Sequence, residues 1–132
     1  MWCDIGVNLF SSQYDADRDA VIARAKSAGV SHAILIGSDI AESQLNLQFC
    51  QQHSSCFTTA GVHPHQAAAV GDEWLQQLTT LLNANQVVAV GECGLDFNRD
   101  FSPRAVQQQI FAAQLQLAST LDKPVYLHER DA

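Results

Sequence analysis

Glu92 stands at the end of the run Val87-Val88-Ala89-Val90-Gly91. Valine and alanine in sequence read as a strand buried on both faces, and a carboxylate at the tip of such a strand serves chemistry more often than packing. Gly91 and Gly94 flank it and let the backbone bend tightly around a metal carboxylate, one able to bridge two cations. The alternative for Glu92 is a solvent-facing acid at a strand-to-loop junction. Two more apolar segments end in the same way. Phe57-Thr58-Thr59-Ala60-Gly61-Val62 runs into His63-Pro64-His65, and Pro124-Val125-Tyr126-Leu127 runs into His128-Glu129-Arg130. Three strands tipped with ligand-type side chains form the pattern of a metal site at the carboxyl edge of a parallel sheet.

The neighbours of these residues suggest roles. Asp96 lies two positions beyond Gly94 and is either a simple turn residue or a carboxylate that orients a ligand. Pro64 disfavours helical geometry at His63 and keeps it extended. The pair His63 and His65 then suits metal ligation, phosphate contact or proton donation to a leaving oxygen, against the alternative of two exposed loop histidines. If the last strand continues, alternation places His128 and Arg130 on one side of it. A guanidinium there suits bidentate phosphate recognition; the competing reading is a surface ion pair with Glu129 or Asp131. His32 and His53 sit where nothing converges and read as structural. Cys93 has no basic partner in sequence to activate it as a nucleophile. No glycine-rich phosphate loop, dinucleotide fingerprint, nucleophile elbow or zinc-finger spacing occurs.

The chain has 132 residues, 47% apolar and 16% charged, enough for one domain with a real core. Its formal charge of −7 excludes nucleic-acid binding through a general basic surface, since that mode needs many lysines and arginines. Bound cations could still supply positive charge locally to a phosphate substrate. The four cysteines form no C-x-x-C pair and read as reduced thiols of a cytoplasmic protein. No stretch approaches the ~18 apolar residues of a membrane span, and the start Met1-Trp2-Cys3-Asp4 lacks the features of a signal peptide.

Positioning these tips requires strands near Cys3–Val7, Ala33–Gly37, Phe57–Val62, Val87–Val90 and Val125–Leu127. A first helix follows Ser11 or Ser12, with Val21, Ile22, Ala25 and Ala28 on one face and Gly29 past its end. Asp39-Ile40-Ala41-Glu42 has capping-box spacing and opens a second helix carrying Leu45, Leu47 and Phe49. A third starts near Asp72 and buries Trp74, Leu75, Leu78, Leu81 and Leu82. The fourth has Ser102 as cap and Pro103 in its first turn, then Val106, Ile110, Gln114, Leu117 and Leu121 along a stripe. Strict β-α alternation implies a parallel α/β sheet with outer helices. An open five-stranded sheet would be complete at this length, whereas a (β/α)₈ barrel needs roughly 250 residues and would be cut in half. Because the sequence stops directly after a strand, at Arg130-Asp131-Ala132, with no helix to cover that side, the barrel half is the expected architecture.

Gly61-Val62-His63-Pro64-His65, Gly91-Glu92-Cys93-Gly94-Leu95-Asp96-Phe97 and Val125-Tyr126-Leu127-His128-Glu129-Arg130-Asp131-Ala132, in this order and spacing, resemble the TatD family of metal-dependent deoxyribonucleases over essentially the whole chain. The resemblance implies a (β/α)₈ barrel of the metallo-dependent hydrolase type, truncated after about the fifth strand, with residues 1–132 as a single domain forming its N-terminal half. It implies phosphodiester cleavage in DNA with divalent cations, Glu92 as the shared metal carboxylate and His128 as a ligand of the second cation. His63 and His65 would face the substrate, Arg130 would sit near the scissile phosphate, and Asp96 would orient a ligand. Most of the family carries His-x-His in the first strand, where this chain has Gly6 and Asn8. Asn8 is a weak ligand, so that cation is expected to be loosely held, with magnesium first and manganese or zinc as alternatives. The family's later metal histidine and water-orienting acid lie beyond Ala132. The expected activity of the piece alone is therefore weak or absent unless self-association rebuilds a barrel. Acidic net charge favours single-stranded or frayed DNA ends over long duplex. The rival readings are a metallohydrolase of a small ester or amide, and a non-catalytic α/β binding module.

Overall fold

Strands and helices alternate through the whole chain in the computed structural model, which describes residues 1–132. In order they are β1 (Trp2–Val7), α1 (Arg18–Ser27), β2 (Val30–Leu35), α2 (Ile40–Gln52), β3 (Cys56–Ala60), α3 (Trp74–Leu82), β4 (Val87–Asp96), α4 (Arg104–Leu121) and β5 (Val125–Arg130). Short 3-10 turns occupy Ser12–Tyr14 and Pro64–Ala69. Every neighbouring strand pair is parallel, and the strand order is β1-β2-β3-β4-β5. This order decides between the two architectures. A doubly wound open sheet reverses direction at a switch point, whereas a barrel adds each strand on the same side of the last. The five strands form half of a barrel.

The core lies between sheet and helices. Leu78, Leu81 and Leu82 of α3 pack on Ala60 of β3 and on Val87 and Val90 of β4. A second cluster joins Ala33 and Leu35 of β2 to Phe49 and Cys50 of α2. Asp39 caps α2 by accepting the Glu42 N–H at 2.7 Å, and the Glu42 carboxylate accepts the Ser38 N–H at 2.9 Å. The spacing thus gave the helix start, with the return bond one residue earlier than the ideal box.

Several boundaries differ from expectation, each for a local reason. Residues 12–14 close a 3-10 turn, so α1 starts at Arg18, and it buries no residue fully. Gly29 ends it with φ of 96°, a conformation that favours glycine. Leu45 and Leu75 are exposed, because α2 and α3 turn other positions inward; on α2 these are Ser43, Asn46, Phe49 and Cys50. Ser102 is not the cap of α4, since Pro103 takes that place and the buried Ser102 hydroxyl is bonded elsewhere. The largest difference concerns β4. It does not stop at Val90 but runs ten residues to Asp96, so Glu92 lies inside a strand rather than at its tip.

Candidate metal centre

Glu92 is the extra residue of a bulge. In the β4–β5 register Gly91 faces Tyr126 and Cys93 faces Leu127, with Glu92 unmatched between them. A bulge re-aims a side chain, and glycine makes this one sterically available. Gly91 has φ of 147°, and a Cβ on Gly61 would stand 2.6 Å from the Gly91 Cα. A side chain at Gly61 would collide with the β4 backbone, and one at Gly91 would collide with Tyr126 of β5. The Glu92 N–H bonds the Gly37 carbonyl beyond β2 at 2.8 Å.

His63 follows β3, His65 lies in the 3-10 turn after it, and His128 lies within β5. One ring nitrogen from each falls within 4.8 Å of the others. Glu92 Oε1 is 3.3 Å from His128 Nδ1 and 3.9 Å from His63 Nε2. All four side chains are half-buried. The fold thus brings together the three strand exits singled out in the sequence.

Asp96 is the hub beneath them. Only 1% exposed, it holds His65 Nε2 and His128 Nε2 on a single oxygen, each at 2.9 Å. Its other oxygen accepts the N–H groups of Arg99 at 2.8 Å and Asn98 at 3.1 Å. The Arg99 N–H holds the Asp96 carboxyl well below the usual carboxylate range; the two imidazoles add to this and burial opposes it. An ionised Asp96 can only accept, so the Nε2–H of both rings points at it, which in the neutral imidazole leaves the lone pair on Nδ1. His63 is wired in the opposite sense. Its Nδ1 accepts the His65 N–H at 3.0 Å, leaving the proton of the neutral ring on Nε2. Burial first, then the His128 and His65 rings, push His63 down to about 4, so it is neutral at physiological pH.

This wiring fits a cation. The His128 Nδ1 lone pair faces a Glu92 carboxylate oxygen, a contact that only a proton on Nδ1 or a shared cation reconciles. Two ligands on one cation with bonds near 2.1 Å stand about 3.0–3.4 Å apart, which matches. Imidazole nitrogen with carboxylate oxygen is a donor set for a divalent metal.

Two expected residues stand apart. Asn8 and Arg130 are exposed, and neither side chain hydrogen-bonds to the cluster. Arg130 also forms no ion pair with Glu129 or Asp131; its carbonyl accepts the Phe97 N–H at 2.9 Å. Sequence reading missed what holds the site from outside. Gln114 accepts the Val62 N–H at 2.9 Å and donates to the Val62 carbonyl at 3.1 Å, clamping the backbone next to His63. Gln107 does the same to Asp96 at 2.8 and 3.1 Å. Two glutamines seven residues apart on the inward face of an amphipathic helix were the available signal. None of the three surface cavities is lined by the cluster, which lies open at the strand ends.

A parallel half-barrel with histidines and a carboxylate gathered at the carboxyl ends of its strands defines the class of metal-dependent barrel hydrolases. Within it, the chain belongs to the TatD-related DNase family, whose model matches residues 3–132. It is 51% identical over 129 residues to the 3'-5' ssDNA/RNA exonuclease TatD of Cronobacter sakazakii, covering 98% of this chain and 49% of that protein. The corresponding protein of Salmonella typhimurium is 49% identical, with 98% of this chain and 50% of the relative covered. Among solved structures, YJJV, a TatD homologue from Escherichia coli K12, superposes with a TM-score of 0.89 at 31% identity, over 98% of this chain and 51% of that one. A TatD-family hydrolase from Entamoeba histolytica gives 0.90 at 27% identity, over 98% and 50%. The chain spans about half the length of the curated relatives it matches.

Proposed function

We propose that residues 1–132 make one domain, the N-terminal half of a (β/α)₈ barrel, and carry part of the centre of a metal-dependent nuclease. Its substrate is single-stranded nucleic acid or a frayed DNA end, cut from the 3' end as the names of its relatives describe. The observation that carries this reading is the Asp96 hub, which fixes the His65 and His128 imidazoles, with His128 Nδ1 turned toward Glu92.

Glu92 and His128 would hold the cation, and His65 would offer a third donor. Glu92 oxygens suit magnesium or manganese while the imidazoles suit zinc, so the ordering expected from sequence is tested by titrating each. When bound, the cation supplies positive charge against the phosphate and lowers the pKa of water. His63, neutral with its proton on Nε2, would donate a hydrogen bond to the leaving oxygen. Arg130, free of ion pairs on the edge strand β5, contacts the phosphate, and Asn8 is a weak additional ligand. Asp96 is the positioning residue.

No helix is long and apolar enough to cross a membrane. Four free thiols, with Cys50 and Cys93 pushed up to about 12 by burial, suit the reducing cytoplasm. As an isolated chain the domain is a weak enzyme and self-associates through its uncovered sheet.

Calorimetry on metal-stripped protein tests the assignment independently of turnover. Magnesium, manganese or zinc should bind at a single class of site, and Glu92→Gln should weaken binding tenfold or more. Slow shortening of a 5'-labelled single-stranded oligonucleotide should depend on the same cation. Cation affinity unchanged by Glu92→Gln would remove the centre, and turnover of acyl esters without cleavage of DNA would favour the ester or amide reading.

A further inference from the structure

Phe101 is 61% exposed, although it is a large apolar side chain in a chain that buries Phe49 almost fully. Lone exposed apolar residues are common and by themselves mean little. Three observations set this one apart. Its ring meets the His65 ring edge-to-face, with centroids 4.8 Å apart and planes at 82°. His65 is a member of the histidine cluster, so the aromatic surface stands at the rim of the proposed centre. The Arg99 guanidinium lies 5.6 Å from the Phe101 centroid, exposed and without an ion-pair partner.

The loop that carries Phe101 is fastened on both sides. Ahead of it, Asp96 receives the N–H groups of Asn98 and Arg99. Behind it, the buried Ser102 hydroxyl accepts the Ala68 N–H at 2.9 Å and donates to the His65 carbonyl at 3.3 Å, while Gln107 donates to the Ser102 carbonyl at 2.8 Å. The same groups that orient His65 therefore fasten the backbone on both sides of Phe101, and the His65 ring meets it edge-to-face. An exposed ring held in place with a cation beside it is the construction that binds single-stranded nucleic acid, since every base has a π-face.

We propose that Phe101 is a stacking platform for the nucleobase adjoining the phosphate bound at the histidine cluster, with Arg99 against the neighbouring phosphate. This rests on the nuclease reading above and deepens it. It explains how a chain of formal charge −7 engages nucleic acid: one stacked base and a local cation replace a basic groove. It also makes the site tolerant of base identity and selective for an unpaired end, because a base inside a duplex cannot present its face.

The test uses two fluorescent single-stranded oligonucleotides, identical except that one has an abasic 3'-terminal residue, each with a cleavage-resistant phosphorothioate at the last linkage. Anisotropy should show the unmodified chain binding the base-bearing strand roughly 5–150-fold more tightly, the range of stacking on an aromatic residue. Phe101→Ala should bring the base-bearing strand down to abasic affinity while leaving the abasic strand unchanged, and Phe101→Trp should preserve the preference. A Phe101→Ala protein that loses affinity for both strands equally, or for neither, overturns the stacking role and leaves the nuclease reading standing. Failure of the unmodified chain to bind either strand overturns the nucleic-acid reading and this proposal with it.

Discussion

Asp96 ties the cluster together from a buried position. One of its oxygens serves two imidazoles and the other two backbone N–H groups, so charge and geometry are fixed by four donors. Substituting Asp96→Asn keeps the shape and the acceptor for the Asn98 and Arg99 N–H groups but removes the charge that sets the tautomer of His65 and His128. Partners of this kind are worth about 10–100-fold in metal affinity. Calorimetric titration of Asp96→Asn should show a loss in that range with the circular dichroism spectrum retained. Unchanged affinity would show that the two rings are oriented by packing alone. At this scale Glu92, His63, His65 and His128 were legible in the sequence because each follows an apolar run. That Asp96 is the common partner of His65 and His128 was not, since 31 and 32 residues separate it from the two histidines.

At the scale of elements, α4 does more than cover the sheet. Gln107 and Gln114 replace missing backbone partners at the exits of β4 and β3, holding Asp96 and Val62 in place. Replacing Gln114 by leucine keeps an apolar contact surface but strands the buried N–H and carbonyl of Val62. Each unsatisfied group costs about 1–3 kcal/mol, so with two stranded, urea unfolding should show a loss of roughly 2–6 kcal/mol. Gln108→Leu on the exposed side of the same helix should change stability by about 0.5 kcal/mol or less. Similar losses from the two variants would mean that the clamp is not what Gln114 contributes. The bulge at Glu92 belongs to this scale too. Gly91 and Gly94 announced a tight bend in the sequence, but only the pairing of β4 with β5 shows that the bend turns Glu92 toward His128.

The molecule as a whole presents an uncovered sheet. β1 and β5 each pair with one neighbour only, and Trp2 and Ile5 on β1 and Val125 and Leu127 on β5 are exposed. Unpaired edges carrying apolar side chains drive association. Light scattering coupled to size exclusion should give a mass that rises with protein concentration, and the pair Ile5→Lys and Leu127→Lys should shift it toward the monomer. A sharp, concentration-independent monomer of the unmodified chain would count against self-association.

The sequence by itself determined the alternation of strands and helices, the family, and the three strand exits whose ligand-type side chains gather in the fold. These are encoded in local hydrophobic period, cap residues and short motifs, and survive reading one segment at a time. The tertiary structure decided the rest. Strand order ruled for the barrel over the open sheet, because it depends on which edge each crossover returns to. Register made Glu92 a bulge residue inside a ten-residue strand. Long-range hydrogen bonds made Asp96 the hub, gave Gln107 and Gln114 their work and set Phe101 beside His65, since none of these contacts has a signature in the residues adjoining it.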